Sequence, residues 1–314
     1  MSTVLPIIVV VFDLILPIAL LLWALKTRAK SRLYLASIWL STAVVIAVLA
    51  KSIVGFWHVV GVFWPAVYLV ALAVILIVRT RRALPPVWLP RRWSREFFVT
   101  AANILHAGLW ALMIPQLLQA RSYEGTALDL SPPLRGGQFY VLFGGANASV
   151  NQHGDYALDI GKLNALGLVA AGFFPQDLQK YAAFGADVVA PCAGEVISTE
   201  STRPNRLPLD PDGEDRTGGN HVVIYCEGHS VQLAHLQPGS VAVSAGDRVS
   251  AGQLVGKVGN SGNTMWPHLH INAARGRHLF VRSDDRVLTA AQAVPFLIDG
   301  TFLVKGESFS NLGQ

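Results

Sequence analysis

Four stretches within the first 118 residues, Val4 to Leu25, Tyr34 to Ala50, Val59 to Val78 and Phe97 to Leu118, are apolar over about the length a helix needs to cross a hydrocarbon core. They constrain the chain more than any other feature, because segments of this kind belong in lipid. The composition agrees: 52% hydrophobic residues against 14% charged is too apolar for a wholly soluble protein of 314 residues. A cleaved signal peptide is the competing reading of the first stretch. It lacks a basic leader and a small-residue cleavage site, and three more spans follow it. Residues 1–120 are therefore expected to form a membrane region of four transmembrane helices embedded in the lipid bilayer.

The connecting loops give the expected orientation. Lys26, Arg28, Lys30 and Arg32 separate the first two spans, and Arg79, Arg81, Arg82, Arg91, Arg92 and Arg95 separate the last two. Basic loops stay in the cytoplasm. The loop between the second and third spans offers only Lys51, which places it on the opposite side, and an even number of spans returns the chain there. The expected location is the bacterial inner membrane, multi-pass, with everything after about Arg121 extracytoplasmic. Much of the sequence pI of 9.4 comes from the inside loops, so no nucleic-acid partner is expected. Asp13 and His106 are ionisable groups within apolar spans, where such groups face another helix or water. They are read as helix-to-helix contacts, with a pairing between them open.

After Arg121 the texture changes. Residues 121–138, with Ser131-Pro132-Pro133, read as a linker, and 139–314 as a second domain with its core in 139–280. Short alternating stretches at Phe139 to Phe143, Gly194 to Ser198, His221 to Tyr225 and Val231 to Leu233 predict antiparallel strands. Leu163 to Tyr181 is the one stretch expected to hold a helix. Glycines spaced along Gly246 to Gly256 fit short strands with tight turns in a small barrel or sandwich. Lipoyl and biotinyl carrier domains share that cadence, but they carry a modified lysine, and none stands at the Gly194 or Asn260 turns.

The histidines of this domain gather in three clusters, NQHGDYALDI, LAHLQPGS and PHLHIN. In the last, strand alternation puts His268 and His270 on one face and Leu269 and Ile271 on the other. Two histidines and one carboxylate on Zn²⁺ leave the fourth position to water, which is the coordination of a hydrolytic site rather than a structural one.

With these clusters go Val189-Ala190-Pro191-Cys192-Ala193-Gly194, Gly219-Asn220-His221-Val222-Val223 and Gly259-Asn260-Ser261-Gly262-Asn263-Thr264. Together, from roughly Phe139 to Asn272, they resemble the lysostaphin and LytM-type zinc metallopeptidases that cut peptide bonds in bacterial peptidoglycan. The resemblance implies a mainly antiparallel β domain of the LytM-type (duplicated hybrid motif) fold. It implies that His153, Asp159 and His270 bind zinc, while His235 and His268 line the site as catalytic groups that orient water, move its proton and stabilise the oxyanion. The commonest family pattern has its first histidine four residues before the aspartate. Here Asp155 holds that place and His153 stands six before Asp159, so Asp155 remains a rival ligand.

Cys192 and Cys226 are the only cysteines. Outside the cytoplasm such a pair invites a disulfide, and related sequences also pair Ala-Pro-Cys with a later cysteine; two buried free thiols are the alternative. His221 reads as a strand histidine hydrogen-bonded within the fold, and His229 and His278 as solvated loop residues. Asp210 to Asp215 reads as an exposed loop bordering the substrate groove. The expected function is that of a membrane-anchored zinc metalloendopeptidase whose substrate is a peptidoglycan peptide. An inactive LytM-like domain that binds and regulates other cell-wall hydrolases is the alternative, and any protein partners in the cell wall are unknown.

Overall fold

A computed structural model describes residues 4–82, 84–153, 156–210, 218–280 and 293–311. The chain divides into two compact units between Leu117 and Leu118.

Among its described residues the first unit has four helices long and apolar enough to cross a membrane, Val4–Lys26, Arg32–Lys51, Trp64–Arg81 and Arg95–Gln119. The first is not uniform. Val10–Ile15 winds as a wider π-helical turn just before Leu16-Pro17. Proline donates no backbone hydrogen bond, and its ring would clash with the carbonyl four residues back, that of Asp13. The Asp13 carbonyl instead accepts from the Tyr68 hydroxyl at 3.1 Å, so a neighbouring helix satisfies what the proline leaves open. The Asp13 carboxylate accepts from the backbone N–H of Phe56 at 2.9 Å. His106 faces Ser41 on the Arg32–Lys51 helix at 2.8 Å and accepts from Trp110 at 3.0 Å. Asp13 and His106 thus make separate contacts within this helical unit.

The third span begins later than the hydropathy pattern predicts. Trp57–Val60 forms its own short helix, ended by Gly61 at φ 125°, a conformation open to glycine alone, and Pro65 then sits in the first turn of the next helix. Ser52, Trp57 and His58 are buried inside this unit.

The second unit is built on twelve described strands: β1 (Leu128–Leu130), β2 (Gly137–Phe143), β3 (Leu158–Lys162), β4 (Asp187–Val189), β5 (Gly194–Glu200), β6 (Asn220–Cys226), β7 (His229–Leu236), β8 (Arg248–Val249), β9 (Leu254–Lys257), β10 (Leu269–Arg275), β11 (Phe296–Ile298) and β12 (Ser308–Asn311). Eight form one antiparallel sheet in the order β12-β2-β3-β10-β7-β6-β5-β8. An antiparallel β4-β9 ribbon and a parallel β1-β11 pair complete the fold. Alternation sends Leu158, Ile160, Leu269, Ile271, Leu233 and Ile224 into a core shared with Val188 and Val255 of the ribbon. The opposite face of β3, β10 and β7 is left for polar side chains.

Three expectations fail here, the first two for identifiable reasons. Residues 121–138 are not a bare linker: Leu128, Leu130 and Leu134 are buried in the core, and that apolar burial draws β1 onto β11. Among the described residues Leu163 to Tyr181 holds no α-helix, only a 3₁₀ turn at Leu178–Lys180. The Asn164 carboxamide accepts from the N–H groups of Leu166 and Leu168, closing a local turn in place of a helical one. His229, expected in a loop, heads β7 and is half-buried. Cys192 and Cys226 are joined as a disulfide.

Candidate metal centre

β3 and β10 are neighbours, and their register sets Asp159 directly opposite His270. Both point away from the core. His270 Nδ1 lies 2.8 Å from Asp159 Oδ1. The second carboxylate oxygen is 3.0 Å from His153 Nε2, which the loop before β3 supplies. Asn151 shapes that loop. Fully buried, its carboxamide donates to the carbonyls of Gly145 at 3.0 Å and Ala157 at 2.9 Å, and accepts from the His153 N–H at 3.0 Å. The spacing of Asn-x-His thus has a local cause, since one side chain ties the histidine's backbone to the start of β3. Asp155 lies outside the described residues.

One ligand atom from each of His153, Asp159 and His270 falls within 4.8 Å of the other two. Zinc takes nitrogen and oxygen ligands at about 2.0–2.2 Å, and this donor set suits it.

His268 and His235 adjoin the trio. His268 Nδ1 is 2.7 Å from the Trp266 carbonyl, and its Nε2 is 3.3 Å from Asp159 Oδ1. His235 Nδ1 is 2.9 Å from the Ser261 carbonyl, and its ring centre is 4.9 Å from that of His268 and 5.7 Å from that of His270. A backbone carbonyl accepts only, so at His235 it makes Nδ1 the protonated nitrogen and leaves Nε2 to accept a proton.

How His235 reaches this face is not a matter of alternation. Leu233 and Leu236 both lie in the core, three residues apart on one strand, which a regular strand does not allow. The register slips between Asn220 and His221 on the partner β6, and His235 takes φ 65°. This bulge turns His235 out beside Ala234. The approach of Gly219 helps close the neighbourhood: at φ 65°, a Cβ there would come 2.4 Å from the Ser261 backbone whose carbonyl holds His235.

Electrostatics follow from burial and crowding. Burial alone would raise the Asp159 carboxyl, but the charges and hydrogen bonds of His153 and His268 hold it well below the usual carboxylate range. Burial pushes His235 well below the ordinary histidine value, and neighbouring His268 and His270 push it further. His270 is also lowered by burial, against the raising effect of its hydrogen bond to Asp159. His221 stays apart, hydrogen-bonded to the Gly219 carbonyl at 2.9 Å and facing Ser198 at 3.3 Å.

Residues 177–280 match the model of peptidase family M23. The matched region resembles that family. The match contains His235, His268 and His270; His153 and Asp159 precede it and join through the pairing of β3 with β10. Among solved structures, the chain is similar to a catalytic domain of the prophage-encoded M23 protein EnpA from Enterococcus faecalis, at 19% identity over 52% of this chain and 95% of that one, TM-score 0.28. It is similar to the lysostaphin catalytic domain from Staphylococcus simulans, at 21% identity over 35% and 79%, TM-score 0.23. A zinc-containing peptidase from Vibrio cholerae gives 17% over 49% and 36%, TM-score 0.24. The chain spans 39% of the lysostaphin chain in that protein's solution structure.

Several residues around this cluster carry no signal of their own in the sequence. Trp266 is buried and packs beside Phe174, ring centres 5.9 Å apart, and its carbonyl orients His268. Arg206 donates to the Gly262 carbonyl at 3.0 Å and the Asp210 carbonyl at 2.9 Å, fastening one loop to the Gly-Asn-Ser-Gly turn. Nothing short of the fold brings these segments together.

Proposed function

We propose that the M23 domain is a zinc-dependent endopeptidase acting on peptide bonds of bacterial peptidoglycan, anchored to the inner membrane by the four apolar helices, with its site on the extracytoplasmic side. The observation that carries the reading is the convergence of His153, Asp159 and His270 within one ligand sphere, beside two histidines whose Nδ1 atoms are held by backbone carbonyls. In this reading His153, Asp159 and His270 hold the metal. Bound there, zinc would supply Lewis-acid polarisation of the scissile carbonyl and acidify water. His235, kept neutral by burial, accepts a proton at Nε2. His268, with Nδ1 fixed on the Trp266 carbonyl, presents Nε2 to the reacting oxygen, and the proton taken up at His235 Nε2 goes on from there to the leaving amine.

Metal analysis of the purified chain, joined to digestion of cross-linked peptidoglycan, tests the reading. One zinc per chain and release of cut stem peptides or cross-bridges, both lost in Asp159→Ala and His270→Ala, is the expected result. A folded, metal-free chain that digests nothing would point instead to a binding module. His153→Ala compared with Asp155→Ala decides the first ligand: the assignment made here requires the former to lose zinc. A reporter active only outside the cytoplasm, fused at the chain end, is expected to be active, and silence there would invert the topology.

A further inference from the structure

The helical unit contains a cavity of about 710 Å³ that the peptidase reading does not use. It opens where the first helix ends and the second and fourth begin. Its lining combines four cations, Arg28, Lys30, Arg91 and Arg95, with an apolar and aromatic wall that includes Trp23 and Leu89. Other basic side chains of this unit are committed to the fold: Arg79 donates to the carbonyls of Leu25 at 2.6 Å and Thr27 at 2.5 Å, and Arg32 donates to the Pro85 carbonyl at 2.9 Å and lies over the Trp88 ring. Among the described residues the side chains of the four cavity cations make no hydrogen bond and no ion pair.

Glu96 is the lone acid of the lining, and its carboxylate is already occupied. It accepts from the Lys30 N–H at 2.7 Å and the Ser31 hydroxyl at 3.3 Å, and so neutralises none of the four cationic groups directly. With Glu96 counted, the lining carries four positive charges and one negative, a surplus of three. Tyr34, nine-tenths buried, also lines the cavity, and its hydroxyl makes no hydrogen bond among the described residues. The first turn of the Arg95 helix opens here as well, with the backbone N–H groups of Arg95 and Glu96 at the end a helix cannot satisfy internally. Unneutralised cations facing an anion-favouring helix end, beside an aromatic wall at the end of apolar helices, match one ligand chemistry: a phosphate carrying a hydrocarbon tail.

We propose that this cavity is a binding site for the phosphate headgroup of an anionic membrane lipid, with the acyl chains running along the apolar side of the helices. It goes beyond the peptidase reading and is independent of it. It rests on the helices lying in a bilayer.

The test uses the full chain in detergent micelles, titrated with phosphatidylglycerol or with phosphatidylcholine of the same acyl chains, and bound lipid counted by native mass spectrometry. One phosphatidylglycerol per chain is expected, held at least about tenfold more tightly than phosphatidylcholine. Arg91→Gln/Arg95→Gln should weaken phosphatidylglycerol more than tenfold, since each basic residue near an anionic lipid contributes about fivefold. Arg91→Lys/Arg95→Lys should retain it, and Lys51→Gln, outside the cavity, should change nothing. Equal retention of the two lipids, or wild-type binding by the glutamine pair, overturns the proposal. So does inorganic phosphate alone displacing the lipid at equal concentration, which would make the site one for a free anion.

Discussion

Asp159 and His270 face each other across one register of two adjacent antiparallel strands, with Oδ1 and Nδ1 2.8 Å apart. The carboxylate is nearly inaccessible, and three imidazoles point at it. A buried charge requires partners of this kind. Asp159→Asn keeps the shape and removes the charge. It is expected to lower zinc affinity by more than about a hundredfold, beyond what loss of an outer-shell partner costs. Competition with a chelator of known affinity measures it, and unchanged affinity would exclude Asp159 as a ligand.

The bulge at His235 separates a catalytic role from a structural one. A left-handed conformation costs a side chain with Cβ about 1–2 kcal/mol, and glycine escapes that cost. His235→Gly should therefore melt higher than His235→Ala. Both should bind zinc as the wild type does, and both should lose about two to four orders of magnitude in peptide cleavage. If the two variants melt alike, the strain at this position is not what the backbone indicates.

Asn151 touches no metal in this arrangement, yet it fixes the loop that carries His153. Asn151→Ala leaves two buried carbonyls and one N–H without their partner. A cost of about 1–3 kcal/mol in stability follows, and a loss of zinc affinity accompanies it because His153 is no longer held. Thermal melts with and without metal check both effects. A variant that loses stability but keeps full zinc affinity would show that His153 is positioned by other means.

The disulfide lies at the opposite end of β6 from Asn220 and His221, and it closes a segment of 34 residues. On the chain-entropy view that closure is worth about 3–4 kcal/mol. Cys192→Ser/Cys226→Ser is expected to lose about that much stability while zinc content at low temperature stays at one per chain. Loss of metal in the folded double variant would place the bridge in control of the site.

The two architectures were legible in the chain for different reasons. Helix-length apolar runs show directly in a sequence, so four helices long and apolar enough to cross a membrane could be read there, with the third starting later because Gly61 and Pro65 interrupt the run at Val59. His270 lies in β10 and His268 just before it, and counting by twos was enough to bring both towards Asp159. His235 could not be placed by counting: strict alternation would have sent it into the core with Leu233, and only the slip against β6 turns it outward. Arg206 reaches the Gly262 carbonyl of a distant segment, and Asn151 and Trp266 act within their own loops through backbone carbonyls and N–H groups. Such contacts leave no periodic trace, and a linker such as 121–138 looks polar enough until Leu128, Leu130 and Leu134 find a core to enter.

Acid should destabilise the metal-free protein in two stages. His235 is buried and its pKa is depressed by that burial, with His268 and His270 adding to the effect; burial also lowers His270. In the unfolded chain these imidazoles take up protons near the ordinary value of about 6.5. The folded chain takes them up only at lower pH. Between those limits the unfolded state binds more protons, so stability falls as pH falls, by up to about 1.4 kcal/mol per pH unit for each group. Asp159 adds a second loss of the same sign at lower pH. Its folded pKa is held below the unfolded value of about 3.9, so its contribution is present above that value and disappears as pH drops through the folded one. Urea midpoints of the metal-stripped chain at pH 7, 6 and 5, followed by near-ultraviolet circular dichroism, should decline in that order. His235→Asn, whose side chain does not titrate and tolerates the left-handed backbone, should decline less steeply. A midpoint that rises on acidification, or an equal slope in the variant, would mean that His235 does not stay neutral in the folded protein.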